Sequence, residues 1–182
     1  PLTSIMLLGN QQDNMKFAVD LLDSIPEKRN FILAPGCDMP YNVPVENCIG
    51  VAQAALETDA VREMVKNYQA EEIDTSDVVL PDYEHLAKPL VEVFTLDSAQ
   101  CAACGYMMGA ANQAKETFGD KIDMVEYKFI YKENVARCVK MGVPNLPSMY
   151  INGELKYRSI IPTKAELEAA INEAIAVCDS RK

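Results

Sequence analysis

At 182 residues the chain can hold one domain or two small ones, and its 49% hydrophobic share excludes a largely disordered polymer. Its formal charge of −10, without any long Lys/Arg run, argues against a nucleic-acid partner. No apolar run reaches the roughly 20 residues of a membrane helix, and Pro1 to Met6 lacks the basic start of a secretory signal, so no membrane partner is expected and the compartment reads as cytoplasmic.

In chain order, Ser4–Leu8 is a short apolar run ending at Gly9-Asn10 and predicts a strand and a turn. Pro1 in place of a methionine predicts a processed or excised start. Met15, Ala18, Val19 and Leu22 have helical spacing, and Pro26 stops that helix. Phe31-Ile32-Leu33-Ala34 predicts a second strand, closed by Pro35-Gly36. Pro44 and Glu46 suit the first turn of a helix carrying Ile49, Ala52, Ala55 and Leu56, and a further helix runs through Val61, Met64, Val65 and Tyr68. The order strand–helix–strand–helix–helix is that of a parallel α/β unit. Two strands cannot close a core unaided, so residues 1–70 are expected to lean on other sequence or on a second copy, a homo-oligomer. Residues 71–89, rich in Glu and Asp and broken by Pro81 and Pro89, read as an acidic linker.

From Leu90 the predicted elements are a strand over 90–95, a helix over 102–118, a strand over 122–130, a helix over 132–141, strands over 148–152 and 154–158, and a helix over 164–177. Asn152-Gly153 is a hairpin signal, and Thr163 with Glu166 forms a capping box for the last helix. Tyr106, Ala110, Ala114 and Phe118 mark the apolar face of the 102–118 helix, and Tyr106, Met107, Met108 and Met149 are read as core and groove lining.

Among six cysteines only Cys101 and Cys104 have a chemically suggestive spacing. Cys48, Cys138 and Cys178 read as small buried hydrophobes. Cys101-Ala102-Ala103-Cys104 falls where a strand hands over to a helix. The first sulfur is expected at the helix N-terminus, accessible, where N–H groups and the macrodipole favour a thiolate. The second lies one turn further in. That is the layout of a dithiol–disulfide exchange site, with a Cys101–Cys104 disulfide as its redox group and no added cofactor. A stapled, inert pair is the competing reading.

Residues 90–178 resemble the thioredoxin/glutaredoxin fold. The features that carry the resemblance are the strand into Cys101-Ala102-Ala103-Cys104 and the segment Pro147-Ser148-Met149-Tyr150-Ile151-Asn152-Gly153. The resemblance implies a cis proline at Pro147, Cys101 as nucleophile, Cys104 as resolving thiol, and Leu146 with Pro147 as a docking edge for protein thiols or disulfides. Gln100 stands where the family often has tryptophan and Ala103 where it often has proline. The acid that thioredoxins bury on the first strand has no evident counterpart, Asp97 lying in the following loop.

Residues 1–70 are similar to the last two strand–helix units of the uroporphyrinogen decarboxylase-type barrel, in its corrinoid- or coenzyme M-linked methyltransferase branch. The carriers are Leu7-Leu8-Gly9-Asn10 and Phe31 to Pro40, with Val43 to Asn47. That likeness implies a zinc ligand at Cys37. The other ligands are missing, His85 reads as a solvated surface residue, and zinc is not expected in this chain alone. The whole chain thus reads as α/β: a partial barrel segment, a linker, and a thioredoxin-like domain over 90–182. Its expected function is thiol–disulfide oxidoreduction, with a corrinoid protein or methyltransferase as a further partner. The alternative is a non-catalytic accessory module of such a methyltransferase.

Overall fold

In the computed structural model, residues 2–27, 29–35, 39, 42–70 and 73–181 are described. The chain divides into two compact units, Pro1–Glu72 and Ile73–Lys182.

The described part of the first unit is helical: α1 (Leu2–Leu8), α2 (Gln11–Ser24), α3 (Val45–Leu56) and α4 (Thr58–Val65). α2 begins at a reciprocal capping box between Asn10 and Asp13. The core joins Met6 of α1, Met15, Ala18 and Val19 of α2, Val51 and Ala54 of α3, and Val61 and Val65 of α4. Gly50 permits the close approach of α3 to α2, since a Cβ there would stand 3.0 Å from Gln11 Cγ.

Two strand expectations fail in this unit. Ser4–Leu8 lies within helix α1. Side chains of α2 and α3 bind carbonyls at and just beyond the end of this seven-residue helix. Asn14 Nδ2 donates to the Ile5 carbonyl at 2.9 Å, and Asn47 Nδ2 donates to those of Met6 and Gly9, each at 2.8 Å. Residues 31–34 are irregular, with Ile32 84% exposed, because no other strand among the described residues of this unit offers them ladder partners. The described residues therefore form a helical unit where a strand–helix barrel segment was expected.

The second unit is a four-stranded mixed sheet in the order β2-β1-β3-β4, built from β1 (Leu90–Thr95), β2 (Asp123–Lys128), β3 (Ser148–Ile151) and β4 (Glu154–Arg158). β1 runs parallel to β2, with Val91 beside Met124, and antiparallel to β3, with Val91 beside Ile151. Helices α5 (Ala102–Phe118) and α7 (Lys164–Ser180) supply Met107, Ala111, Leu167 and Ile171 to a core against Val91, Val93, Met149 and Ile151. The alternate residues Phe94 and Tyr150 pack with Cys138 of α6 (Lys132–Lys140). Asn152 and Gly153 take φ values of 51° and 78° in the β3–β4 hairpin, and the Thr163–Glu166 capping box opens α7.

α5 is rotated from the expected face. Its buried residues are Cys104, Met107, Ala111 and Ala114, while Tyr106 is 70% exposed. Turning Cys104 inward sets that phase. Cys138 and Cys178 are buried, and Cys48 is half-buried. Residues 73–89 belong to the second unit. Lys140 Nζ donates to the carbonyls of Thr75 and Val78, Arg137 Nη1 to that of Val79, and Arg181 Nη1 to those of Tyr83 and Glu84. Their carbonyls draw basic side chains of α6 and of the chain end, which fastens to the unit a stretch whose composition suggests a linker.

Candidate active site

The site is assembled by one turn at the end of β1. The Asp97 carbonyl accepts from the N–H groups of Gln100 (3.1 Å) and Cys101 (2.9 Å), which reverses the chain and starts α5. Cys101 is the N-cap. Its sulfur accepts from the Cys104 N–H at 3.4 Å, and its carbonyl accepts from Gly105 N–H at 2.8 Å. Gly105 keeps this turn tight, since a Cβ there would stand 3.2 Å from the Ser98 carbonyl oxygen. Cys104 Sγ, one turn in, accepts from Leu96 N–H at 3.4 Å. Both cysteines are free thiols.

Leu96, Cys101 and Cys104 form one apolar cluster, closed by Phe129 and Leu146. Cys101 is 6% exposed and Cys104 1%. The accessible sulfur expected from the sequence is thus largely covered, because capping folds the Cys101 side chain back over the helix end, into the cluster that Leu146 and Phe129 close. Burial pushes the Cys104 thiol up to about 12, helped by its hydrogen bond with Cys101 and by charge on that sulfur.

The Leu146–Pro147 peptide bond is cis. Pro147 is buried, and its carbonyl accepts from Ser159 N–H at 2.9 Å. Leu146 keeps its backbone N–H and C=O without hydrogen bonds among the described residues, while its side chain packs on the dithiol cluster. Free backbone N–H and C=O groups are what an incoming extended segment pairs with.

Charged groups border the turn. Asp97 Oδ1 accepts from Lys128 Nζ at 2.8 Å, which holds the Asp97 carboxyl below the usual range and raises the Lys128 ammonium. Glu126 Oε1 accepts from the Thr95 hydroxyl at 2.6 Å and from Ser98 N–H at 3.3 Å.

β1 also carries a fully buried acid, Glu92, bound by Arg137 Nη2 at 3.0 Å and by the Tyr83 hydroxyl at 2.8 Å, with the Arg137 guanidinium 4.4 Å from the Tyr127 ring centre. It lies four residues before Leu96, about 13 Å along an extended strand, and it touches neither cysteine. The alternating pattern of β1 hides it, since Glu92 occupies a position that would face solvent were α6 absent.

Cys37, the zinc candidate, lies outside the described residues. His85 is exposed, its Nδ1 2.7 Å from Asp82 Oδ2. Among the described residues no three His, Cys, Asp or Glu side chains gather as a metal site, and no helix is long and apolar enough to cross a membrane.

The chain is 32% identical over 83 residues, 46% of its length, to a protein described as a probable thioredoxin in Methanothermobacter thermautotrophicus, and the match spans 92% of that relative. A second probable thioredoxin, from Methanothermobacter marburgensis, is 32% identical over 85 residues, covering 47% of this chain and 94% of the relative. No family model matches.

Proposed function

The chain belongs to the thioredoxin family, and from that premise we propose that Cys101 and Cys104 are its exchange centre, acting on protein thiols or disulfides. It carries a thiol–disulfide oxidoreductase domain. The observation that carries the assignment of roles is the asymmetry of the two sulfurs: Cys101 caps α5 and keeps the greater exposure, while Cys104 lies behind it with its thiol pushed up to about 12.

In reduction, the Cys101 thiolate attacks one sulfur of a partner's disulfide. A Cys101–partner bond forms, and the partner's other sulfur leaves as a thiolate and takes a proton. Charge on Cys101 helps keep Cys104 protonated, and that contribution disappears in the mixed disulfide. Cys104 then loses its proton and attacks Cys101. The internal disulfide forms, the second partner thiol leaves, and two electrons have passed to the partner. The Cys101–Cys104 disulfide is the only redox group required. The partner's backbone pairs with Leu146, beside Pro147, which brings its sulfur to the Cys101 side of the cluster.

The test is insulin reduction with dithiothreitol. Cys101→Ser is expected to fall to the uncatalysed rate, and Cys104→Ser to accumulate a mixed disulfide visible by mass spectrometry. Equal turnover by Cys101→Ser and the parent refutes the assignment. A corrinoid protein or methyltransferase partner draws only on sequence strings of the first unit. The two strands that a barrel end requires there are a helix and an irregular segment, so exchange chemistry is the reading adopted.

A further inference from the structure

We propose that Asn145, Arg158 and Ser159 form a polar clamp that positions Leu146 and Pro147 for the docking of the partner's backbone. This deepens the exchange reading and rests on it. Asn145 Oδ1 accepts from Arg158 Nε at 2.8 Å, Asn145 Nδ2 donates to Ser159 Oγ, and the Asn145 carbonyl accepts from the Ser148 hydroxyl at 2.7 Å. Ser159 N–H donates to the Pro147 carbonyl at 2.9 Å. The clamp thus grips the segment on either side of Leu146, whose backbone N–H and C=O are both unpaired among the described residues.

Ser159 adopts φ of 53°, a left-handed conformation that favours glycine or asparagine. Two of its groups, the N–H and Oγ, are engaged by residues flanking Leu146. A strained residue held in this way, on an exposed surface where hydrogen bonds add little to stability, points to placement as the role of the contacts. Leu146 packs on the cluster that contains Cys101, so a shift of about 1 Å in this segment displaces the docking edge relative to the attacking sulfur. Asn145, Arg158 and Ser159 are positioning residues: the partner meets Leu146, and they act through it.

The experiment compares insulin with a small aromatic disulfide, 5,5′-dithiobis(2-nitrobenzoate), which reaches the sulfur without backbone pairing. Asn145→Ala is expected to raise KM for insulin on the order of fivefold, as loss of one or two hydrogen bonds predicts, with kcat and small-disulfide turnover within about twofold of the parent. Asn145→Asp is expected to restore the KM, because the carboxylate still accepts from Arg158 and the Ser159 hydroxyl can turn to donate. An unchanged KM in Asn145→Ala overturns the clamp. So does an equal fall on both disulfides, or failure of Asn145→Asp to restore KM, since either marks a merely structural role. If Asn145→Ala does not fold, Arg158→Ala, which removes one exposed partner, reads the same split. A parent no more active than Cys101→Ser overturns both the exchange reading and the clamp. An active parent with an unchanged KM in Asn145→Ala overturns the clamp alone.

Discussion

The two units bury polar groups in opposite ways. In the first, neutral amides do the work: Asn14 and Asn47, both buried, reach carbonyls at the end of α1, and neither Oδ1 has a partner among the described residues. In the second, an ion pair does it: Glu92 and Arg137 lie between sheet and helix, with Tyr83 on the carboxylate and Arg137 Nε without a partner among the described residues. A neutral amide can finish a short helix without bringing a charge out of water. A buried charge pair needs several walls to be satisfied, and here these come from β1, α6, the Tyr127 ring and the 73–89 segment. The contrast teaches that residue 92 and residue 47 are both polar anchors, but only the first becomes a severe liability when its partner is lost.

Loss of the attacking sulfur separates the two units most strongly. Cys101→Ser is expected to abolish insulin reduction, whereas Cys48→Ser in the first unit leaves turnover within about twofold, as thiol chemistry confined to the second unit requires. Parallel loss in both variants would dissolve the functional division. Next comes Arg137→Met, which strands Glu92 without its cation and should cost about 3–5 kcal/mol in a urea titration of the full chain. Asn47→Leu should cost about 1–3 kcal/mol, since the Met6 carbonyl is left buried without its side-chain donor. If Asn47→Leu proved the more damaging of the two, the neutral-versus-charged distinction would be wrong.

The smallest effect is a slope with pH. Burial raises the Cys104 and Cys138 thiols from 9.0 to about 12. The folded state therefore holds these protons more tightly than the unfolded chain. That contribution to stability is complete below about pH 9 and is lost as pH rises from there towards about 12. Cys138→Ala should flatten part of the alkaline slope in stability measured from pH 8 to 10.5, whatever it does to stability at neutral pH. An unchanged slope would mean that Cys138 does not keep its proton on folding.

From Leu90 onward, element order, the Asn152-Gly153 hairpin, the Thr163–Glu166 cap and the dithiol at a strand–helix junction were readable in advance. Each depends on residues a few positions apart, whose sterics, alternation and capping act before any distant contact forms. The rest could not be read this way. The end of α1 is held by Asn14 and Asn47, the latter from 41 residues away. Residues 73–89 lie against the second unit because Arg137, Lys140 and Arg181 seek their carbonyls. Glu92 is buried because α6 covers its side of the sheet with a matching charge, and Cys101 is covered because Leu146, 45 positions on, packs over it. In each case the outcome turns on desolvation and on a hydrogen-bonding or packing partner brought close by the fold, and a short apolar run carries no record of which partner that will be.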